Sequence, residues 1–145
     1  MKALIQRVKQ ARVEVDNQLV SSINAGMLVL VGIDAHDTDA TVTALAERLL
    51  KYRLFADEQG KMNLNVQQSN GEILLVSQFT LSAETRKGLR PGFSTAATPS
   101  EGERLFNRVV EHVHHRHKFT KTGQFGADMQ VFLQNDGPVT FLLEN

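Results

Sequence analysis

Ser77-Gln78-Phe79-Thr80-Leu81 places two hydroxyls and an amide side chain directly after the apolar run Ile73-Leu74-Leu75-Val76. Such a run reads as a buried strand, so Thr80 falls at a strand end, where the sites of open sheets gather. The chemistry on offer is acyl transfer, with Thr80 as nucleophile or with its hydroxyl merely structural. A threonine without a base is a poor nucleophile at neutral pH, and no base is recognisable beside this one. The five histidines do not supply it: His36 precedes one helical segment, and His112, His114, His115 and His117 cluster on another. His114 and His117 lie one turn apart, but no third ligand accompanies them. A polar, solvent-facing helix end is the expectation there, and no metal site or cofactor is expected.

Asn135-Asp136-Gly137-Pro138-Val139-Thr140 is the second segment with chemical potential. Glycine allows unusual φ and close approach by a ligand, while proline fixes φ and removes an N–H donor. The pair can form a rigid peptide wall; read alone, Asp-Gly-Pro is an ordinary hairpin turn between two strand-like runs.

The elements that must position these segments follow from periodicity. Ala3 to Val8 reads as strand, Val13 and Val15 alternate with polar residues, and Asp16-Asn17 marks a turn. Met27 to Ile33 is an unbroken apolar run, the pattern of a strand buried on both faces. From Thr38 onward Val42, Leu45, Ala46, Leu49 and Leu50 recur at helical spacing, with a cap near Asp37 or Thr38. Thr98-Pro99-Ser100-Glu101 opens a second helix as a capping box with proline in the first turn. Leu105, Phe106, Val109, Val110 and Val113 give that helix one apolar stripe. Met129, Val131 and Leu133 alternate before the Asp-Gly-Pro segment, and Val139 to Leu143 close the chain. This order predicts an α/β fold with both helices on one sheet face.

With 145 residues, 41% hydrophobic and 22% charged, the chain reads as a single domain spanning residues 1–145. Lys plus Arg and Asp plus Glu each number 16, so nucleic-acid contact must rest on a local patch. Lys2, Arg7, Lys9 and Arg12 form one candidate; Arg86, Lys87 and Arg90, in a glycine-flanked loop after the SQFTL segment, form the better one. There is no cysteine, which excludes disulfides and thiolate chemistry. No run has the length of a membrane span, and Met1 to Arg7 is broken by charge too early for a secretory segment. A cytoplasmic location fits.

SQFTL followed much later by Asn135-to-Thr140, an NxGPVT pattern, resembles the bacterial D-aminoacyl-tRNA deacylases. Gln6-Arg7-Val8, Lys61-Met62-Asn63-Leu64-Asn65, Arg90-Pro91 with Phe93, and Met129 extend the resemblance along essentially the whole chain. Gly92 departs from it, since the family often has another small or polar residue between the proline and Phe93.

The resemblance implies three layers, two helices packed on two β layers, and a homodimer with active sites at the subunit interface. It implies hydrolysis of the ester of D-aminoacyl-tRNA, for instance D-tyrosyl-tRNA, to free D-amino acid and tRNA. An aminoacyl ester is already activated, so positioning and oxyanion stabilisation suffice. Backbone amides near Gln78, Phe79 and Thr80 would hold the ester oxygen, with Ser77 beside them and Met129 and Phe79 as walls. Gly137 and Pro138, joined by a cis bond, would enter from the other subunit, oriented by Arg7, and exclude an L side chain. Such a wall cannot reject glycine, so glycyl-tRNA is an expected substrate, and the neighbouring 2′-hydroxyl would assist water. Arg86, Lys87 and Arg90 would lie along the tRNA, with no membrane or DNA partner expected. The alternatives are a Thr80-nucleophile esterase and a nucleic-acid-binding module without catalysis, since one fold can host either.

Overall fold

The computed structural model describes residues 1–86 and 88–145; Lys87 lies outside them. Its elements run β1 (Lys2–Val15), β2 (Gln18–Ile23), β3 (Gly26–Gly32), α1 (Asp39–Lys51), β4 (Phe55–Ala56), β5 (Met62–Leu64), β6 (Glu72–Ser77), a 3-10 turn (Phe79–Ser82), α2 (Pro99–Arg116), β7 (Thr120–Thr122) and β8 (Gln130–Glu144). Among the described residues no helix is long and apolar enough to cross a membrane.

The architecture is α/β, with two helices on two β layers. Strand β3 runs parallel to β6, and β6 parallel to β7. Strand β1 lies antiparallel to β3 and, along its whole length, to β8. Parallel neighbours require crossovers, and α1 and α2 provide them. Val42, Leu45 and Leu49 of α1, with Leu105, Val109 and Val113 of α2, bury against Met27, Val29, Val31, Ile73 and Leu75. The alternate residues Leu28, Leu74 and Val76 face the other way and meet Val8, Ala11, Val13 and Ile23. Period-two alternation with both sets apolar is why β3 and β6 read as fully buried strands.

The second β layer arises from a break in β1. Register shifts between Gln6 and Val8 and between Val8 and Gln10 let its later half, with β2 and the start of β8, cover β3 and β6 from the far side. Ser21 Oγ donates to Thr122 O at 2.7 Å and Lys121 Nζ to Ser22 O at 2.6 Å, pinning that layer to β7. What reads as two strand segments before Asp16-Asn17 is therefore one bent strand. The turn itself has φ of 50° and 61° at Asp16 and Asn17, the twist a two-residue hairpin prefers.

Both helix starts fall where the sequence places them. Thr38 caps α1, its N–H donating to Thr41 Oγ1 at 2.9 Å. Thr98 caps α2 and accepts from Glu101 N at 3.5 Å, while the Glu101 carboxylate turns to Arg104 rather than back to the cap. The histidine-rich end of α2 departs from the expected solvent-facing surface. His114 and His115 are exposed, but His117 is buried with Nε2 2.8 Å from Gly71 O. His112 Nε2 is buried and has no hydrogen-bond partner among the described residues. The helix end packs on the loop before β6, which makes the His117 imidazole an interior group, while His112 is half-buried.

The short β4–β5 hairpin gave no clear periodic signal. Asp57 organises it by accepting from Gln59 N and Lys61 N, both at 2.9 Å, and from Asn63 Nδ2 at 2.8 Å. Those bonds, that from Lys61 foremost, hold the Asp57 carboxyl below its ordinary pKa.

Candidate active site

Strand β6 ends at Ser77, and the chain turns at once into the 3-10 helix that carries Phe79 and Thr80. This turn lies close over the end of β3. A Cβ at Gly32 would stand 2.8 Å from Leu81 Cβ and 3.2 Å from Gln78 O, so only glycine permits the approach. Gln78 N–H donates to Val31 O at 2.8 Å, extending the parallel ladder by one bond. That removes Gln78 from the free amide donors. The Phe79 and Thr80 N–H groups open the turn, where no preceding carbonyl serves them, and among the described residues neither has a backbone acceptor. Gln78 Nε2 donates to Thr80 Oγ1 at 2.5 Å. The threonine hydroxyl therefore faces an amide donor, and among the described residues no base is bonded to it.

Beside this turn lies a pocket of about 330 Å³. Ser77, Gln78, Phe79 and Met129 line it, so the structure brings together four of the residues singled out from sequence. Its walls are mostly apolar. A broader depression of about 550 Å³ over Gln10, Arg12 and Phe132 is more evenly polar and more open. Sequence reasoning missed the opposite wall, formed by Val31, Ile33, the first turn of α2 and Phe125 to Ala127. The available signal was the capping proline Pro99, which fixes where α2 begins and hence where that wall stands.

Gly137 and Pro138 form a separate constellation. The Asn135–Thr140 segment is no hairpin: β8 continues through it, still paired with β1. Val8 pairs with Asn135 and Gln6 with Thr140, so Asp136 to Val139 bulge outward opposite Arg7. A hairpin would need the chain to reverse, and the apolar residues after Pro138 instead extend the same edge. Asn135 closes the bulge, with Oδ1 accepting from Val139 N at 2.7 Å and Nδ2 donating to Thr140 Oγ1 at 3.0 Å. Gly137 has φ of 148°, and a Cβ there would meet Val139 Cγ2 at 2.7 Å. The Gly137–Pro138 bond is cis.

Arg7 supports this bulge from beneath. Its Nε donates to Asp136 O and its Nη1 to Leu54 O, each at 3.0 Å, with the side chain only 17% exposed. Gly137 and Pro138 are exposed, and within one chain neither they nor Arg7 lines the pocket. Arg86 and Arg90 are exposed on the loop that follows the 3-10 turn; Lys87 lies outside the described residues.

Among the described residues one group has metal-ligand spacing, Asp34, His36 and Asp37. Its carboxylates already hold the Met1 ammonium at 3.0 and 2.7 Å, so it serves as an ion pair. Burial pushes the Asp34 carboxyl up, but the Ser82 hydroxyl, the ammonium and Lys2 outweigh it and hold the pKa below its ordinary value.

The chain is thus a three-layer α/β fold with a small, mostly apolar pocket at the end of a parallel strand. Residues 4–144 match the family described as D-Tyr-tRNA(Tyr) deacylase, and the chain belongs to that family. A D-aminoacyl-tRNA deacylase of Marinomonas sp. (strain MWYL1) is 62% identical over 144 residues, covering 99% of this chain and 100% of that protein. The solved structure of a protein named c-Myc DNA Unwinding Element Binding Protein superposes with a TM-score of 0.96 at 41% identity, covering 100% of this chain and 99% of that one. A probable eukaryotic D-amino acid tRNA deacylase superposes at 0.87 with 16% identity, covering 98% and 97%, and speaks to the fold alone.

Proposed function

We propose that this protein hydrolyses the ester joining a D-amino acid to the 3′ end of tRNA, releasing the free D-amino acid and tRNA in the cytoplasm. The observation that carries the reading is the 3-10 turn beside an apolar pocket that Phe79 lines, whose first N–H groups, those of Phe79 and Thr80, have no backbone acceptor among the described residues. Preorganised backbone donors aimed at a developing oxyanion are among the largest contributions to acyl-transfer catalysis.

The stereochemical half of the site comes from a second copy of the chain. In a homodimer the Gly137–Pro138 bulge of one subunit enters the pocket of the other, and its carbonyls accept hydrogen bonds from the substrate ammonium. Strand β8 exposes Phe132, Leu133 and Leu142, an apolar edge consistent with such a partner. With the ammonium so fixed, a D side chain points out of the pocket and an L side chain runs into main chain. Attractive contacts alone discriminate weakly, whereas a stiff wall acts by exclusion. Water attacks the ester carbon, the 2′-hydroxyl of the terminal ribose assists in moving its proton, and the 3′-oxygen leaves. Glycine, having no side chain to exclude, is also cleaved.

The test is turnover by the purified protein, with chelator present, of matched D- and L-tyrosyl-tRNA, and of glycyl- and L-alanyl-tRNA. Release from the D and glycyl esters alone supports the reading. Equal release from the L esters, or glycine as resistant as L-alanine, contradicts exclusion.

A second reading, nucleic-acid binding without hydrolysis, draws on the name of the 41%-identical neighbour and on exposed Arg86 and Arg90. Tight binding of uncharged nucleic acid together with no release from any D ester would favour it.

A further inference from the structure

Two phenylalanine rings stand together beside the pocket and remain in water. Phe79 and Phe93 pack with ring centroids 5.1 Å apart at a tilt of 46°, yet they are 62% and 42% exposed. Phe79 is also a pocket wall. Phe93 is held by main-chain bonds on both sides rather than by burial. Before it, Glu84 N donates to Gly92 O at 2.8 Å and Gly92 N to Glu84 O at 3.1 Å. After it, Ala96 N donates to Phe93 O at 3.1 Å and Ala35 N to Thr95 O at 2.9 Å. A single exposed apolar side chain needs no explanation. A fixed aromatic pair, next to a ligand pocket and on a loop with exposed Arg86 and Arg90, matches how proteins hold unpaired nucleotides.

We propose that Phe93, packed against Phe79, is a platform for the unpaired bases that precede the terminal nucleotide of the RNA substrate. This rests on the deacylase reading and adds a positioning residue to it. Every base has a π face, so stacking on an aromatic ring is indifferent to sequence. Such a contact suits an enzyme that must accept many tRNA species by their single-stranded 3′ end. Bases splayed onto aromatic side chains, with cationic groups tracking the phosphates, are the general mode of single-strand RNA recognition. Arg86 and Arg90 supply that charge on the same loop.

The experiment compares the parent protein with Phe93→Ala and Phe93→Tyr on two substrates, D-tyrosyl-tRNA and the 3′ ester of D-tyrosine with adenosine, which lacks the preceding nucleotides. Phe93→Ala should raise KM for the tRNA ester on the order of tenfold with kcat retained. Phe93→Tyr should restore the parent KM, and the penalty should vanish on the nucleoside ester. An unchanged KM on the tRNA ester overturns the proposal. So does an equal penalty on both esters, which would make the ring a support for the pocket. Dissociation of the Phe93→Ala dimer in sedimentation would assign the rings to the second copy and also overturn it. If the parent protein releases nothing from D-tyrosyl-tRNA, the deacylase reading fails by itself. Fluorescence anisotropy with uncharged tRNA then decides the platform: a Kd about tenfold weaker for Phe93→Ala sustains it, and an unchanged Kd overturns it.

Discussion

The strand end at Ser77–Ser82 and the bulge at Asn135–Val139 are both departures from regular ladders, but they expose opposite backbone groups. The first leaves the N–H groups of Phe79 and Thr80 without a backbone acceptor among the described residues, in a turn whose Phe79 lines a pocket. The second carries Gly137 and a proline, which has no N–H to give, outside the β1–β8 register. The proposed function uses the first region as donors to an ester oxygen and the second as acceptors for an ammonium group. Within a single chain they do not share a cavity. In the proposed function, irregular backbone would do the recognition that side chains perform in many hydrolases, and a second copy would bring its halves together.

The largest effect should come from loosening the acceptor half. Pro138→Ala should lower the ratio of D- to L-tyrosyl-tRNA turnover on the order of 10²-fold while leaving Tm within a few degrees. An unaltered ratio would detach the bulge from stereochemistry. Next is its support: Arg7→Gln strands the carbonyls of Leu54 and Asp136, a loss of about 2 kcal/mol. Tm should fall by roughly 4–8 °C, with discrimination reduced alongside. A lowered Tm with intact discrimination would make Arg7 a folding residue only.

The donor half predicts a small response where a nucleophile mechanism predicts a vast one. Thr80→Val should keep turnover within about tenfold of the parent, since removing a true nucleophile costs on the order of 10⁶. Arg90→Gln should reduce the slope of log KM against log salt by about 1, the signature of one phosphate contact. The smallest effect lies outside the comparison and serves as its control. Burial, then Arg116, pushes the His112 pKa below 6.5, with Glu47 opposing. The unfolded chain therefore takes the proton first, so stability is full above about 6.5 and declines as pH falls through the lower folded value. His112→Gln should flatten that decline in Tm measured across this window and leave D-ester selectivity untouched.

Much of this arrangement is legible in the residues. Apolar alternation gives β3 and β6 as strands buried on both faces, and Thr38 and Thr98 mark the helix starts, because these signals are local. The bulge is not legible as such. Asp-Gly-Pro carries the same turn signal whether the chain reverses or steps aside, and only the pairing of Val8 with Asn135 and Gln6 with Thr140 decides it. Nor does sequence reveal that Gln78 N–H is spent on Val31 O, since that depends on how far the parallel ladder runs past Ser77. The buried state of His117 and of His112 Nε2 likewise comes from what packs against the end of α2, which a charge-rich helix terminus does not advertise.

The most direct test is a crystal structure of the assembled protein with a non-hydrolysable D-aminoacyl-adenosine analogue. The account predicts the ligand carbonyl against the Phe79 and Thr80 amides of one protomer, and its ammonium against the Gly137 and Pro138 carbonyls of the other. A ligand held wholly within one chain, with the Gly137–Pro138 bulge in open solvent in every protomer, would contradict it.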